Sequence, residues 1–438
     1  MAYYILKSYR LKLDPSVLFE KFCRYPSPFF LDSGIKKQNC SRYSFLGIEP
    51  FLKLKLKNNG DPFKRLAEEF KKYCLRPPRG APPFIGGAVG YLGYDSDWVF
   101  HFYNTVVAFD HLKRRVIICC TGFPEKNPAL AKVLAKSNLG KIEKMVLEAA
   151  DSKKKRGSLF KAGQASRLES NFSKQDYLAA VKKAKEYIRI GDIYQVNLSQ
   201  RFSSSTNLSA AEIYLRLRKT SPAPFAAYFD AGSHQVLSSS PERFLKLGQG
   251  KVITIPMKGT RPRSPDRKED TALKEQLLNS AKDKAELTMI VDLERNDLGR
   301  VCDYDSIKVT RLRQLEAYRT VYQTTATIEG KLFAHCGRFD LLRACFPGGS
   351  ITGCPKIRAM EIIRELEPDK RQAYTGALGY LSFCGRMDFN ILIRTILKKG
   401  KRIYFWAGGG IVADSRPLEE YQETLVKAKG MIGAIYGA

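Results

Sequence analysis

Two segments with helical spacing carry carboxylates three residues apart: Asp283 with Glu286 in KDKAELTMIVDL, and Glu420 with Glu423 in LEEYQETLVK. That spacing puts each pair on one helix face, and carboxylates converging from two helices suit a hard, oxygen-preferring cation such as Mg²⁺. Acids also take this spacing on solvated faces, where they meet lysines as Glu423 could meet Lys427. Three glycines, Gly408 to Gly410, follow the strand-like RIYFWA and precede a helix opened by Asp414, Ser415 and Pro417. Their backbone N–H groups could cradle an anionic oxygen, or the run is a tight turn. The segment FPGGSITGCPK also leads a glycine-rich loop into a helix but lacks the GxxxxGK[ST] order, so anion binding stays open and nucleotide hydrolysis does not follow. Lys258 stands beside Gly259 and Thr260 in IPMKGTRPR, at the end of a strand. A lysine drawn partly out of water becomes a nucleophile, whereas most lysines stay charged in solvent. Arg394 interrupts the apolar ILIRTI, and an inward-pointing arginine meets either a ligand anion or a structural carboxylate.

The elements that must position these residues are short and mixed. A stretch poor in apolar residues, Asp151 to Ser170, reads as an exposed linker that divides the chain into regions 1–165 and 170–438. Before it, Phe51 to Leu56 and Arg115 to Cys120 read as strands, and Pro62 to Cys74 as a helix. After it, Ser173 caps a helix whose Tyr177, Val181, Ala184 and Ile188 keep one face and which Gly191 ends. Strands at Phe225 to Phe229, Gln235 to Leu237, Phe244 to Leu247 and Lys251 to Ile255 read as an antiparallel meander. Further helices are expected near Lys268–Asn279, Ala285–Glu294, Lys356–Leu366 and Leu418–Met431, and further strands at Val321–Ile328, Tyr374–Phe383, Phe389–Ile396 and Arg402–Ala407. This order argues for an α+β fold rather than a doubly wound parallel sheet.

Composition narrows the function. The 438 residues are 44% hydrophobic, enough for roughly two to three domains' worth of core. No apolar run reaches the ~18 residues of a membrane helix, and Lys7, Arg10 and Lys12 interrupt the N-terminus where a signal peptide would be apolar. The cysteines are scattered without a CxxC, and His101, His111, His234 and His335 lie far apart, so structural zinc and a disulfide framework are not expected and a cytoplasmic location is. The formal charge of +30 makes nucleic acid the first alternative. Its local runs, such as Lys153 to Arg156, are short and lack interleaved aromatics, so nucleic-acid binding is not the expected function.

The strings GDIYQVNLSQRF, SSSPERFL, PMKGTRPR, KDKAELTMIVDLERNDLGRV, FPGGSITGCPK, YTGALGY, DFNILIRT and AGGGIVADS with a downstream EEYQET resemble, in family order, the chorismate-utilising enzymes. FLDS and SRYSFLG near the N-terminus resemble the region shared by the members that aminate chorismate, the component I subunits of anthranilate synthase and aminodeoxychorismate synthase. The resemblance implies a four-layer α/β/β/α fold with two large antiparallel sheets packed orthogonally. It implies chorismate as substrate and Mg²⁺ as cofactor, with ammonia from a separate glutamine amidotransferase and pyruvate released by a separate lyase.

Lys258 is the discriminating residue. Aminodeoxychorismate synthases read PIKGT where anthranilate synthases read PIAGT, so PMKGT points to amination at C4, with Lys258 attacking C2 in a covalent step; anthranilate synthase component I is the alternative. Gln195 stands where water-adding relatives carry a lysine base, and Gln323 where many members carry a histidine. By the same resemblance Glu286 and Glu423 are metal ligands with Asp283 and Glu420 beside them. Gly410 and Lys427 support the ring carboxylate, Arg394 and Tyr374 hold the enolpyruvyl carboxylate, Glu242 is a general acid, and Gly259, Thr260 and Ser350 line the pocket. Asp32, Ser33, Tyr43, Ser44 and Phe45 outline a tryptophan-sized regulatory pocket.

Overall fold

The computed structural model describes residues 3–35, 41–57, 60–152, 165–318 and 321–437. Its strands form two antiparallel sheets, one of twelve and one of ten strands, with helices packed on both. The first sheet runs from Tyr4–Tyr9 through Arg115–Thr121, Thr105–Asp110, Tyr43–Gly47, Phe29–Asp32, Phe225–Asp230, Gln235–Ser240, Thr395–Lys399, Arg402–Ile411 and Gln195–Ser205 to Gly353–Cys354. The second runs from Met257–Pro262 through Val321–Lys331, Lys251–Ile255, Arg243–Gly248, Met387–Ile391, Ala377–Ser382, Gly87–Leu92 and Trp98–Tyr103 to Leu52–Leu56.

Strands of the first sheet such as Thr105–Asp110 are buried along their whole length because both of its faces are covered. Successive residues of a strand face opposite sides. Phe29, Val106 and Val236 therefore enter the core between the sheets, while Phe30, Val107 and Leu237 pack against Phe19, Val146, Tyr214 and Met431 of the covering helices. On the second sheet Phe100, Leu245 and Leu378 join Leu66, Leu287 and Leu342 of the helices Pro62–Lys71, Ala281–Gly299 and Arg338–Cys345. Each large apolar side chain so buried contributes about 1.5–3 kcal/mol of transfer free energy. A third cluster seats the helices Lys174–Arg189 and Lys356–Leu366 on Val196, Leu198 and Ile411.

Regions 1–165 and 170–438 share both sheets. Phe29–Asp32 pairs with Phe225–Asp230, and Gly87–Leu92 with Ala377–Ser382. The linker between them falls largely at 153–164, outside the described residues.

Three local expectations are corrected. The supposed meander changes sheet midway: Phe225–Asp230 and Gln235–Ser240 pair in the first sheet, Arg243–Gly248 and Lys251–Ile255 in the second, and the chain crosses at Pro241 and Glu242. The supposed strand Phe389–Ile396 is likewise two strands, Met387–Ile391 in the second sheet and Thr395–Lys399 in the first. Its crossing ends at Arg394, in the left-handed region at φ 50°. An unbroken apolar run hid that break, because the inter-sheet core accepts apolar residues from a crossing as readily as from a strand. Finally, Gly408 to Gly410 form no turn; they lie within the strand Arg402–Ile411, opposite Ser199, Leu198 and Asn197.

Candidate active site

The two crossings run side by side. The Ser239 N–H donates to the Arg394 carbonyl at 3.1 Å, and the Ile391 N–H to the Glu242 carbonyl at 3.1 Å. The backbone segments that carry Glu242 and Arg394 thus lie together at the seam between the sheets. Glu242 is buried, and Ser350 Oγ donates to its Oε1 at 2.7 Å. Burial pushes its carboxyl up to about 7, opposed by the Ser350 hydrogen bond and the charge of Lys258. Such a group holds or yields a proton near neutrality. Arg394 has the opposite character: burial lowers its pKa, and among the described residues no carboxylate pairs with it. A half-buried cation without a carboxylate partner is a place for a ligand anion. Arg394→Met keeps the bulk and removes the charge. We expect calorimetry to show binding of the carboxylate ligand weakened at least about thirtyfold, ~2 kcal/mol, with no loss of melting temperature. Unchanged affinity would rule out this role.

Lys258 sits on the edge strand Met257–Pro262, whose pairing with Val321–Lys331 slips between Lys258 and Thr260. The bulge needs Gly259, at φ 75°, because a Cβ there would lie 2.8 Å from Leu277 and 3.0 Å from Asp283. Across the site, the position a Cβ would take on Gly410 is 3.2 Å from Lys258 Nζ and 2.7 Å from Gln195 Nε2. The missing side chain leaves space between an amine and an amide. Gln195 is fully buried, and neither its Nε2 nor its Oε1 has a hydrogen-bond partner among the described residues. Gln323 Nε2 donates to Thr260 Oγ1 at 3.2 Å, while its Oε1 is buried and unpaired. Each orphaned buried polar atom costs about 1–3 kcal/mol, a cost that a polar ligand between them relieves.

The glycine strand serves both fold and site. Odd-numbered residues of the neighbouring strand send their N–H groups elsewhere, Asn197 to Thr352 O and Ser199 to Glu367, so Gly408 and Gly410 turn their peptide groups away from it. Gly408 O accepts from Lys427 Nζ at 2.9 Å. A Cβ on Gly408 would come within 2.5 Å of the Leu198 carbonyl oxygen. We therefore expect Gly408→Ala to cost about 1–3 kcal/mol of stability in a denaturation curve. Gly410→Ala should fold but lose at least about tenfold in ligand affinity, ~1.4 kcal/mol, because its methyl fills the space between Gln195 and Lys258. The reverse pattern would show that Gly410 is structural.

Two of the four carboxylates flank this strand. A Cβ on Gly409 would be 3.1 Å from Glu420 Oε2 and 3.5 Å from Glu423 Oε1. Lys282 Nζ lies 3.8 Å from Glu420 Oε1 and 4.0 Å from Glu286 Oε1, joining the two helices through one ammonium. Burial raises Glu286 and Glu420, while Lys427, at 2.6 Å, holds Glu423 below the usual carboxylate range. Asp283 is engaged by Arg261 at 3.1 Å. Among the described residues no three acids or imidazoles are already gathered as ligands around one point. The donor set nevertheless fits a hard divalent cation: all-oxygen, acidic, and bridged by a lysine standing where a cation is wanted. Lys282 was not singled out from the sequence; a lysine one residue before Asp283 carries no distinguishing signal.

Tyr374 is buried and stacks on Trp406 at 5.8 Å with the rings 8° apart; burial pushes its hydroxyl up to about 12. What seats it is a pair the sequence reading missed, fully buried Arg371 with Glu367. Arg371 Nη2 donates to Glu367 Oε1 and to Asn197 O, each at 2.6 Å, and Glu367 Oε1 accepts from the Ser199 N–H and Oγ, both at 2.8 Å. Helical spacing of the two was the available signal, masked by Pro368 between them.

Asp32, Ser33, Tyr43 and Phe45 meet in a second pocket, shared with Phe225, Tyr380 and Asn390 from region 170–438. Ser44 is buried beside it and accepts from the Ser33 N–H at 3.0 Å, while Asp32 is bound by Arg218 at 2.5 Å. No helix among the described residues is long and apolar enough to cross a membrane.

Comparison with known proteins gives a consistent picture. A family model described as chorismate binding enzyme matches residues 27–433. Anthranilate synthase component 1 of Acetivibrio thermocellus is 36% identical, covering 96% of this chain and 92% of that protein. Aminodeoxychorismate synthase component 1 of Klebsiella aerogenes is 38% identical, covering 85% and 82%. Among solved structures, anthranilate synthase component I from Streptococcus pneumoniae TIGR4 superposes with a TM-score of 0.76 at 32% identity, covering 91% of this chain and 93% of that one.

Proposed function

We propose that this chain, which belongs to the family of chorismate-binding enzymes, exchanges the C4 hydroxyl of chorismate for an amino group and leaves the enolpyruvyl side chain in place. The product is 4-amino-4-deoxychorismate, a precursor of para-aminobenzoate and folate. The observation that carries the reading is Lys258, whose amine faces the space left by Gly410 and shares it with a neutral amide, Gln195.

In the proposed sequence Arg394 and Tyr374 hold the enolpyruvyl carboxylate, while the Gly410 N–H and Lys427 support the ring carboxylate. A Mg²⁺ held by Glu286 and Glu423, with Asp283 and Glu420 beside them, would supply the positive charge that carboxylate needs. Lys258 forms a bond from its nitrogen to C2, both ring double bonds shift, from C1=C2 to C1=C6 and from C5=C6 to C4=C5, and the C4–O bond breaks. Glu242 gives its proton to the departing oxygen, which leaves as water. Ammonia then adds at C4, where it becomes an ammonium group, both double bonds shift back, and the C2–N bond breaks with its electron pair returning to Lys258. One difficult substitution becomes two allylic displacements. Gln195, an amide, cannot take a proton from water, which disfavours hydration of the ring.

Ammonia is proposed to come from a separate glutamine amidotransferase, and pyruvate to be released later by a separate lyase. Anthranilate synthase component I is the second reading, favoured by relatives of that name at nearly the same identity, 36% against 38%. A pyruvate assay on purified protein with chorismate, Mg²⁺ and ammonium separates them. We expect pyruvate only after aminodeoxychorismate lyase is added; release without it, together with anthranilate fluorescence, would establish the second reading.

A further inference from the structure

A small cavity lies behind the segments that carry Glu242 and Ser350 and belongs to no part of the site described above. Phe244, Leu245, Thr254, Glu294, Asp297 and Gly349 line it, among others. Its wall is built from the segments that hold Glu242: Phe244 is two residues further along the chain, and Gly349 precedes the Ser350 that binds the Glu242 carboxyl. Two carboxyl groups line the cavity. Glu294 is buried, and Thr254 Oγ1 donates to its Oε2 at 2.8 Å. Asp297 is buried, its Oδ2 bound by Lys356 Nζ at 2.5 Å; its Oδ1 has no hydrogen-bond partner among the described residues, with Arg300 3.8 Å away. Burying two carboxyls in an otherwise apolar pocket is costly, and fold stability alone gains nothing from it over leucines of like size.

The charge balance of the proposed reaction gives them work. Glu242 loses one proton per turnover to the C4 oxygen, and it is too enclosed to recover that proton freely from bulk water. We propose that Glu294 is the positioning residue that returns this proton: it passes from the Glu294 carboxyl by way of the cavity to the Glu242 carboxylate, and Glu294 is recharged through Asp297, one helical turn further on. No bond to carbon is made or broken, and the net change is one proton taken from water. The inference rests on Glu242 being the general acid. Of the charged groups facing Glu294, Glu242 from the sheet crossing and Asp297 from the same helix favour its protonated form, and Lys356 from the helix Lys356–Leu366 opposes it. Burial, with those neighbours, pushes Glu294 up to about 8.

Glu294→Gln keeps the hydrogen bond to Thr254 but carries no transferable proton. We expect kcat for chorismate consumption to fall about tenfold at pH 8, with KM for chorismate within about twofold, a basic limb displaced to lower pH, and a larger solvent deuterium isotope effect on kcat. Thr254→Val should move the same readouts less far. Infrared spectra should show a protonated-carboxyl band in wild type that is absent from Glu294→Gln. A wild-type pH profile and isotope effect in Glu294→Gln would overturn the proposal, whatever its melting temperature; if that variant does not fold, unchanged readouts in Thr254→Val would do the same. Glu242→Gln keeps the two failures apart: full activity there removes the general acid itself, whereas an inactive Glu242→Gln beside an unaltered Glu294→Gln removes only the relay.

Discussion

Lys258→Ala is expected to lower kcat/KM for chorismate amination by roughly 10³-fold or more, the scale on which enzymes lose activity with their covalent nucleophile, while leaving the melting curve close to wild type. The half-buried side chain packs no core, so little stability goes with it. What goes is an amine set within reach of Gln195 and the Gly410 space, among the charges of Glu242, Glu286 and Glu423. A lysine there could also act by charge alone, steadying those carboxylates. Lys258→Arg separates the roles, since arginine keeps the cation but is not a nucleophile near neutral pH. We expect it to be as inactive as Lys258→Ala; recovery of activity in the arginine variant would assign Lys258 an electrostatic role instead.

Glu242→Gln is expected to lower kcat by about 10³-fold, within the 10²–10⁴ range of general acid catalysis. The pH dependence has a definite sign. The acid must be protonated to act, and burial holds Glu242 at about 7, so its share of kcat is full well below that pH and declines as pH rises through it. In Glu242→Gln this decline disappears. Stability follows the same proton. The ordinary glutamate value is 4.5, so between 4.5 and about 7 the unfolded chain ionises while the folded one keeps its proton. The stability contributed by this group is complete below that window and is lost across it. Glu242→Gln should therefore gain melting temperature relative to wild type as pH is raised from 5 to 8. A constant difference would mean that Glu242 titrates normally.

Much of this was legible in the sequence where local rules act alone. The helix Lys174–Arg189 follows from Ser173, whose hydroxyl accepts from the Asp176 N–H at 3.1 Å, and from the buried face of Tyr177, Val181 and Ala184. The edge strand Leu52–Leu56 alternates because Lys53 and Lys55 face solvent. The helix Pro128–Asp151 was not legible, although Asn127 caps it, because Gly140 and many lysines blur its apolar face. In the site, residue types were readable and their meeting was not. Nothing in ILIRTI says that the chain changes sheet at Arg394, and nothing in GGG distinguishes a turn from a strand that clears space for Gln195 and Lys258. Buried acids such as Glu294 and Asp297 look in sequence like the polar end of a helix, since burial is decided by elements distant in the chain.

On the proposed reaction the chain aminates chorismate at C4 and keeps the enolpyruvyl group. Mass analysis of the product formed from chorismate, Mg²⁺ and ¹⁵N-ammonium, with no lyase present, tests it most directly. We expect a single product of the mass of 4-amino-4-deoxychorismate, carrying one ¹⁵N at C4 and all the carbons of the substrate. A labelled product that has lost pyruvate, or an unlabelled isomer of chorismate, would contradict it.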